Sequence, residues 1–467
     1  MKKRMNFWFS ALMFCAAVGV LWGCADKSVY EPEEQAQKRE QFKEKLSHEV
    51  TQTEARENLE KLLTKLNIPS TRGGDAKLPP ITSVYTTGKA AEMTRAGEEV
   101  EPYFHIFNFG DNEGFAIMSG DDRVEPLLAL TFKGELTPET EIDNPGFEIA
   151  YEKMEDYYIA RIGFDTIPSI QPDLPIPPRD SLQIPDLELP ARTESTEEIE
   201  YYNGVFGLCP VQWGQTDPYN IYCGLPELGL NVYTGCVATA TAQLMSIHKH
   251  PNSYNGYTFN WDEMNQFFSN DSDKNPYRSD STKIKPIARL MQQLGLNDNL
   301  DVQYEVIAEG NGSSANTADV PQTLINFGYS NGGTLIDYNT TAVVNELKAG
   351  YPVLLRGNAF REENKVLGIS FGYRYTGGHA WVGHGLMERS YTVNAYNEFD
   401  ELLYTSTTNY TYILCNFGWD GWQDGYYSTG IFNANEGPSY IPDETRSVEG
   451  EEGNYQYNIE TIINIRK

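Results

Sequence analysis

Three short segments, far apart in the chain, contain the residue types from which a nucleophilic thiol site can be built. Cys236 lies in an alanine-rich run, His379 follows two glycines, and Asn416 begins a segment rich in tryptophan and glycine. Such a site needs a nucleophile, a base that takes its proton and a polar group that holds the base. Taken singly, a cysteine or a histidine in an apolar segment more often belongs to a core. The occurrence of all three in this order favours the chemical interpretation.

The sequence around the cysteine predicts a helix that begins near Gly235. Apolar residues recur at three- and four-residue steps along one face of this helix, namely Val237, Ala240, Leu244 and Ile247. Unpaired amides and the helix dipole favour an anion at a helix N-terminus. We therefore expect Cys236, in the first turn, to ionise more readily than a free cysteine.

The segment around the histidine predicts a strand. Because side chains alternate along a strand, His379 shares a face with Trp381, whereas His384 points to the other face. The two histidines therefore cannot hold one metal ion together, and His248 and His250 diverge in a similar way at a helix end. No metal site and no cofactor is predicted.

Asn416 is the expected partner of the histidine. Its side-chain carbonyl could accept a hydrogen bond from the far ring nitrogen of His379 and so direct the near nitrogen at the thiol. Trp419, three residues later, could shield this bond from water.

These motifs resemble those of the streptopain family of papain-like cysteine peptidases. The resemblance includes Trp-Gly-Gln at 213–215, Thr-Gly-Cys-Val-Ala-Thr-Ala-Thr-Ala-Gln at 234–243, Gly-Gly-His-Ala at 377–380 and Asp-Gly-Tyr-Tyr at 424–427. It implies an α+β fold with a papain-like catalytic domain at residues 201–467. It also implies hydrolysis of peptide bonds through an acyl-enzyme intermediate, with proteins or peptides as substrates.

Roles for individual residues follow from the same resemblance. Cys236 corresponds to the nucleophile, His379 to the base and Asn416 to the residue that orients the base. Gln215 corresponds to an oxyanion donor that acts together with the backbone amide of the cysteine, and losing one such donor typically costs about 10²- to 10³-fold in rate.

Further positions are implied to lie along the substrate. Gly378 and the loop with Ser313 and Ser314 correspond to positions near the substrate backbone. Members of the family often carry tryptophan after the asparagine, whereas this chain has Phe417. We therefore expect Trp419 to take over more of the shielding.

Composition and charge limit the possible classes of function. The chain has 467 residues, of which 40% are hydrophobic and 12% aromatic, so it can form two or three folded domains. Its formal net charge of −30 at pH 7 argues against binding to nucleic acid and provides no basic patch for an acidic membrane surface.

The N-terminus has the pattern of an export signal. Basic residues at positions 2–4 precede an apolar run at residues 7–23 that ends at Cys24. This pattern resembles a bacterial lipoprotein signal, which implies removal of residues 1–23 and lipidation of Cys24. The acyl chains would then hold the protein at the cell surface or the periplasmic face, with release after processing as a further option. An ordinary cleaved signal and an N-terminal anchor are the alternatives.

Residues 24–165 are predicted to form an α+β prodomain. An amphipathic stretch before Pro69 predicts a helix, and the runs 103–109 and 114–123 predict strands. The second run resembles the propeptide of streptopain-like peptidases, which implies an intramolecular inhibitor. Residues 166–200 contain seven of the 25 prolines and predict an extended acidic linker with the maturation site.

Four cysteines remain outside the signal and the lipidation position. Because the nucleophile must be free, the arrangement consistent with activity in an exported protein is a bridge between Cys209 and Cys223. Cys415 would then be a buried thiol.

Together these features predict an exported cysteine endopeptidase zymogen. Two other classes could use the same motifs: a catalytically silent papain-like surface protein that binds peptides or host proteins, and a transferase that passes the acyl group to an amine. The presence of all four expected catalytic residues argues against a silent protein. Capture of the acyl-enzyme by an added amine would distinguish a transferase from a hydrolase.

Overall fold

The computed structural model describes residues 48–66, 80–88, 103–164, 192–225, 229–269, 276–277, 279–307, 310–366, 369–397, 399–433 and 459–467. The predicted signal, the lipidation position Cys24 and most of the predicted linker lie outside these ranges. No helix in the described part of the chain is both long enough and apolar enough to cross a bilayer.

The described residues contain seven α-helices, which are α1 (Gln52–Leu66), α2 (Pro145–Phe164), α3 (Cys236–His248), α4 (Trp261–Met264), α5 (Ser281–Leu294), α6 (Val320–Asn326) and α7 (Thr340–Lys348). Local capping explains several of their starts. Before α1, the side chains and backbone amides of Thr51 and Glu54 bond each other reciprocally. Before α2, the Asn144 side chain accepts a hydrogen bond from the Gly146 amide at 3.0 Å.

The strands of the N-terminal half are β1 (Ile81–Thr86), β2 (Phe104–Phe109), β3 (Phe115–Ser119), β4 (Leu127–Thr131) and β5 (Arg192–Tyr202). Three short hairpins follow, formed by β6 (Gly224–Leu225) with β7 (Leu230–Asn231), β8 (Ser253–Tyr254) with β9 (Tyr257–Thr258), and β10 (Gln303–Ile307) with β11 (Gly310–Ser314). The remaining strands are β12 (Asn331–Asp337), β13 (Val353–Val366), β14 (Ile369–Tyr396), β15 (Leu402–Asn416), β16 (Gly425–Ser428) and β17 (Glu460–Arg466).

One antiparallel sheet of 11 strands runs through the described molecule. Its order is β1-β2-β3-β4-β16-β15-β14-β13-β17-β12, and β5 pairs with β14 outside this path. The predicted prodomain supplies β1 to β4, and the junction lies between β4 and β16, where Thr131 is opposite Gly425 and Leu130 is opposite Tyr426. Backbone hydrogen bonds therefore make the predicted prodomain and the predicted catalytic domain parts of a single sheet.

Alternation of side chains divides the core into layers on the two faces of this sheet. One face carries what we call the α2 core, in which residues of α2 such as Phe147 and Met154 pack on strands from both halves, including Trp381 and Cys415. On the other face, α1 covers the prodomain half. Helix α3 packs there against the catalytic half, beside Ala380 and Val382, in what we call the α3 core.

Several sequence predictions are confirmed. The chain is α+β, the predicted prodomain helix ends at Leu66, and the two predicted prodomain strands correspond to β2 and β3. The predicted helix after Gly235 begins at Cys236.

Two predictions are wrong. Residues 192–200 were expected to be irregular linker, but they belong to β5, because this segment pairs along its whole length with β14. Cys209 and Cys223 are not bridged, and both are free thiols. The Cys209 sulfur lies 3.3 Å from the Val211 carbonyl oxygen, whereas Cys223 lies beside the hydroxyl of Tyr304.

Candidate active site

The candidate nucleophile lies at the position that the sequence predicted. Gly235 precedes α3 with a φ of +91°, a left-handed conformation that suits glycine, and Cys236 is the first helical residue. Burial raises the pKa of the Cys236 thiol, and the backbone amides of Ala380, Val237 and Cys236 itself lower it in part. Burial has the larger effect. The thiol is therefore less acidic than a free cysteine, and the prediction that its position at the helix start makes it more acidic is wrong for this structure.

Other predicted residues surround the start of α3. The carbonyl oxygen of Gln215, a buried residue, accepts a hydrogen bond from the Thr234 amide at 3.0 Å, which ties its segment to the approach to Cys236. A Cβ on Gly235 would lie 3.3 Å from the hydroxyl oxygen of Ser313. Ser314 is exposed at the end of β11. Gln215 and Ser313 therefore lie close to the nucleophile in the fold.

The candidate base is buried in β14. The Nε2 atom of His379 lies 2.7 Å from the carbonyl oxygen of Phe417. Because a carbonyl can only accept, Nε2 carries the proton and Nδ1 is the basic nitrogen. Burial lowers the pKa of His379 to about 4, partly offset by the bond to Phe417. The imidazole is therefore neutral near pH 7.

His379 and Cys236 lie on opposite sides of the same strand. The ring of His379 is nearly parallel to that of Trp381, with 6.5 Å between centroids, and Trp381 belongs to the α2 core. The next residue, Ala380, belongs to the α3 core, where its amide contacts the Cys236 sulfur. No hydrogen bond joins the thiol to the imidazole in the described residues. The sequence thus predicted the face of His379 correctly, and this face is directed away from the nucleophile.

The predicted direct bond between Asn416 and His379 is not present. The Asn416 side chain points to the α3 side, where its Nδ2 donates to the Val211 carbonyl at 2.8 Å and its Oδ1 accepts from the Gly418 amide at 3.0 Å. The carbonyl of Phe417, at the other end of that Phe417–Gly418 peptide group, accepts from His379. Asn416 therefore acts on the base through one peptide group.

Two aromatic residues frame the histidine. Trp419 makes edge contacts with His379 at 6.5 Å and with Tyr233 at 6.0 Å, between ring centroids. It thus lies between His379 and the segment before Cys236, although the Asn416–His379 bond that it was predicted to shield is not present. The ring of Phe417 packs on Trp381, so the residue that departs from the family pattern contributes to the α2 core as well as to the bond with His379.

The prodomain contacts the histidine directly, a feature that the sequence did not predict. A Cβ on Gly146, in the first turn of α2, would lie 2.8 Å from Cδ2 of His379 and 2.3 Å from Cδ1 of Phe417. Asn144 fixes this turn by donating to the Trp422 carbonyl at 2.7 Å. The Asn-Pro-Gly sequence at 144–146 signals a helix start, but nothing in it identifies the surface that the helix covers.

Asp424 is a second residue that the sequence analysis did not identify. Its Oδ1 accepts a hydrogen bond from the Phe417 amide at 2.8 Å, and its Oδ2 is buried without a hydrogen-bond partner in the described residues. Burial raises the pKa of this carboxyl to about 7, against smaller lowering effects of the Phe417 amide and Lys133.

The remaining predictions concern substrate and metals. Gly378 is exposed, and a Cβ there would lie 2.7 Å from Oδ1 of Asn358, so a side chain would crowd the neighbouring strand. No group of three or more histidine, cysteine or acidic side chains arranged to hold a metal ion occurs among the described residues.

Two parts of the chain match known protein families. Residues 213–427 match the peptidase C10 family, and residues 47–157 match the Spi protease inhibitor family. The thiol protease/hemagglutinin PrtT of Porphyromonas gingivalis is 29% identical over 191 residues, which is 40% of this chain and 20% of PrtT. The chain thus matches about a fifth of the length of that relative.

Other relatives match over more of the chain. Streptopain of Streptococcus pyogenes serotype M1 is 24% identical over 383 residues, covering 74% of this chain and 78% of streptopain. A solved fragment of prointerpain A from Prevotella intermedia is 21% identical, with a TM-score of 0.48, and covers 79% of this chain and 97% of the fragment. The inhibitor match contains β1 to β4 and most of α2, whereas the peptidase match contains α3, β13 to β15 and most of β16.

Proposed function

We propose that this chain, a streptopain-like cysteine peptidase zymogen with an inhibitor-type prodomain, cleaves peptide bonds with the Cys236 thiolate once His379 has moved to the same side of the sheet. The single observation that carries this assignment is the arrangement around β14. The amide of Ala380 contacts the Cys236 sulfur, while the adjacent His379 is held on the other face by the Phe417 carbonyl. The thiol on α3 thus contacts the strand residue next to the base, but nucleophile and base are not paired.

The proposed reaction needs the histidine to turn towards the thiol. Nδ1 would then take the thiol proton and form a thiolate–imidazolium pair, while the protonated Nε2 would remain available to Phe417 or Asn416. The thiolate attacks the peptide carbonyl carbon, and the Gln215 side chain with the Cys236 amide holds the oxyanion. The imidazolium protonates the leaving amine. Water, deprotonated by His379, then hydrolyses the thioester and regenerates the thiol.

Substitution of the nucleophile tests this assignment. Cys236→Ala in the matured protein should abolish hydrolysis of unfolded casein and labelling by an epoxide that alkylates papain-like thiols. Cys415→Ala is the matched control, because Cys415 is a fully buried thiol in the α2 core and should not be needed for chemistry. Casein hydrolysis that persists in Cys236→Ala would reject the proposed nucleophile.

Latency in the proposed zymogen comes from the position of the base. Helix α2 covers His379 from the prodomain side, and β4 pairs with β16. We propose residues 24–165 as the inhibitory segment and a maturation cut before Arg192, because β5 pairs with β14 of the catalytic domain. Cutting within 192–200 would remove part of a paired strand.

Attachment to a membrane is a separate proposal that rests on the N-terminal sequence. Residues 1–23 would be removed on export and Cys24 would carry the lipid, so that the zymogen is held at the cell surface or periplasmic face. Mass spectrometry of the exported protein should find an acylated N-terminal cysteine, and Cys24→Ser should release unlipidated protein. An unmodified N-terminus elsewhere in wild-type protein would reject the anchor.

A further inference from the structure

Asp424 connects three parts of the molecule. It immediately precedes β16, at the junction between the prodomain and the catalytic sheet. Its main-chain oxygen accepts a hydrogen bond from the Phe132 amide of the prodomain at 3.0 Å. Its side-chain Oδ1 accepts from the Phe417 amide at 2.8 Å, and Phe417 in turn holds His379.

These bonds fix the turn on which the base depends. Within residues 416–419, the Phe417 amide is held by Asp424 and the Gly418 amide by Asn416. Both peptide groups that flank Phe417 are therefore anchored. The carbonyl oxygen that bonds His379 belongs to this anchored segment, and so does Trp419, which contacts the imidazole ring.

Burying an ionised carboxylate to accept one hydrogen bond from an amide costs desolvation free energy. A neutral oxygen would accept the same bond without the penalty of removing a charge from water. Besides the Phe417 amide, one cation among the described residues, Lys133, acts on this carboxyl. The other titratable groups that interact with it there are Asp420, Cys209, Cys415 and Tyr427. The cation belongs to the prodomain and leaves with it. A hydrogen bond to a charged acceptor is, however, roughly twice as strong as one to a neutral acceptor. An ionised Asp424 would therefore hold the 416–419 turn more firmly than a neutral side chain.

We propose that Asp424 is a positioning residue for His379: its carboxylate anchors the 416–419 turn, so that Asn416 and Trp419 align the imidazole when the ring pairs with Cys236. This inference rests on the proposed function and extends it to a residue that does not touch substrate. In the latent form the same anchor holds the Phe417 carbonyl that retains the ring.

Two substitutions in the full-length chain, matured before assay, test the role. Asp424→Leu removes the acceptor at similar size, and Asp424→Asn keeps an acceptor but removes the charge. For a small peptide substrate we expect kcat to fall about 10- to 100-fold in the leucine variant, by analogy with groups that orient a ligand. A smaller loss is expected in the asparagine variant. KM should stay unchanged in both, because no substrate contact is lost.

The pH dependence of Cys236 alkylation distinguishes positioning from packing. A misaligned imidazole pairs poorly with the thiol, so alkylation in the leucine variant should need a higher pH than in wild type, with the asparagine variant between them. If the leucine variant fails to fold, the asparagine variant decides the question. An unchanged kcat and an unchanged alkylation profile in the folded variants would overturn the inference, as would reduced thermal stability with a wild-type alkylation profile.

The wild-type protein provides the control for the underlying assignment. Absence of Cys236-dependent hydrolysis in matured wild-type protein would reject the proposed function itself. Normal wild-type hydrolysis with no effect of either Asp424 substitution would reject only the positioning role.

Discussion

At the scale of single residues, the proposed nucleophile and the proposed base are both neutral in this structure. Burial raises the pKa of Cys236 and lowers that of His379 to about 4, so neither group is charged between about pH 5 and 7. A thiolate–imidazolium pair would reverse both effects, because each charge would stabilise the other. Gly146 contacts His379, so the size of the side chain at position 146 should affect whether the imidazole can leave this position and pair with the thiol.

Gly146→Ala should therefore activate the uncut chain in part. The added methyl group would lie within 3 Å of both His379 and Phe417, and overpacking of this kind costs about 1–3 kcal/mol in the latent form. A cost of about 1.4 kcal/mol corresponds to a tenfold shift in population. We expect Cys236 alkylation at pH 5–7 to be slow in uncut wild-type protein and about tenfold faster in the variant.

The pH dependence of Cys236 alkylation shows whether the thiol is paired with the imidazole. The unpaired thiol should react faster only as the pH rises into the alkaline range, whereas a thiol paired with the imidazole reacts at acidic pH as well. Ile159→Ala is the matched control, because Ile159 lies on the exposed side of α2 with 41% of its surface accessible. Equal alkylation rates for Gly146→Ala and Ile159→Ala would show that α2 does not control the histidine.

At the scale of secondary-structure elements, the sequence predicted the elements that carry their own local signals. The start of α3 at Cys236 and the strand at His379 follow from apolar periodicity, and the end of α1 before Pro69 follows from backbone chemistry. Strand β5 was missed because proline and acidic residues dominate its surroundings, and its pairing with β14 is a contact between residues distant in sequence. Its Glu197 pairs with the buried Arg389, which local composition cannot reveal.

Contacts between distant elements also explain why the site was predicted only in part. Three motifs in the right order pointed to Cys236, His379 and Asn416, and strand alternation placed His379 on the face of Trp381. The sequence did not predict that this face lies opposite the thiol or that α2, about 230 residues earlier in the chain, covers it. Likewise, Asp424 stood in a recognised motif, yet its bond to Phe417 depends on how the 417–424 loop folds back.

At the scale of the whole molecule, the inhibitor-like half and the peptidase-like half share one sheet and two of its hydrophobic clusters. Helix α2 packs across strands of both halves, and α1 shares a hydrophobic cluster with residues of the peptidase half that include Met387 and Tyr412. Lys65 of α1 also pairs with Glu197 of β5. These contacts do not depend on the linker, so cutting the linker leaves them in place.

A chain cut once in the linker should therefore remain inactive. We expect the two fragments to elute together on gel filtration, with casein hydrolysis appearing only when the prodomain is degraded or removed. The separated prodomain should inhibit the mature domain when added back, with a weaker apparent affinity than in the intact chain, because the tether raises its effective concentration. Full activity immediately after the cut, with the fragments still associated, would contradict this account.

The junction between β4 and β16 has a consequence for solubility after maturation. Loss of the prodomain turns β16 into an edge strand whose unpaired amides and carbonyls can pair with another chain, which is a common route to aggregation. This edge is only four residues long, from Gly425 to Ser428, and a helical turn at Thr429–Phe432 follows it at once. Very short edge strands are one of the ways in which proteins avoid such pairing. The place at which the sheet is divided therefore leaves the mature enzyme with little edge for a second molecule to extend.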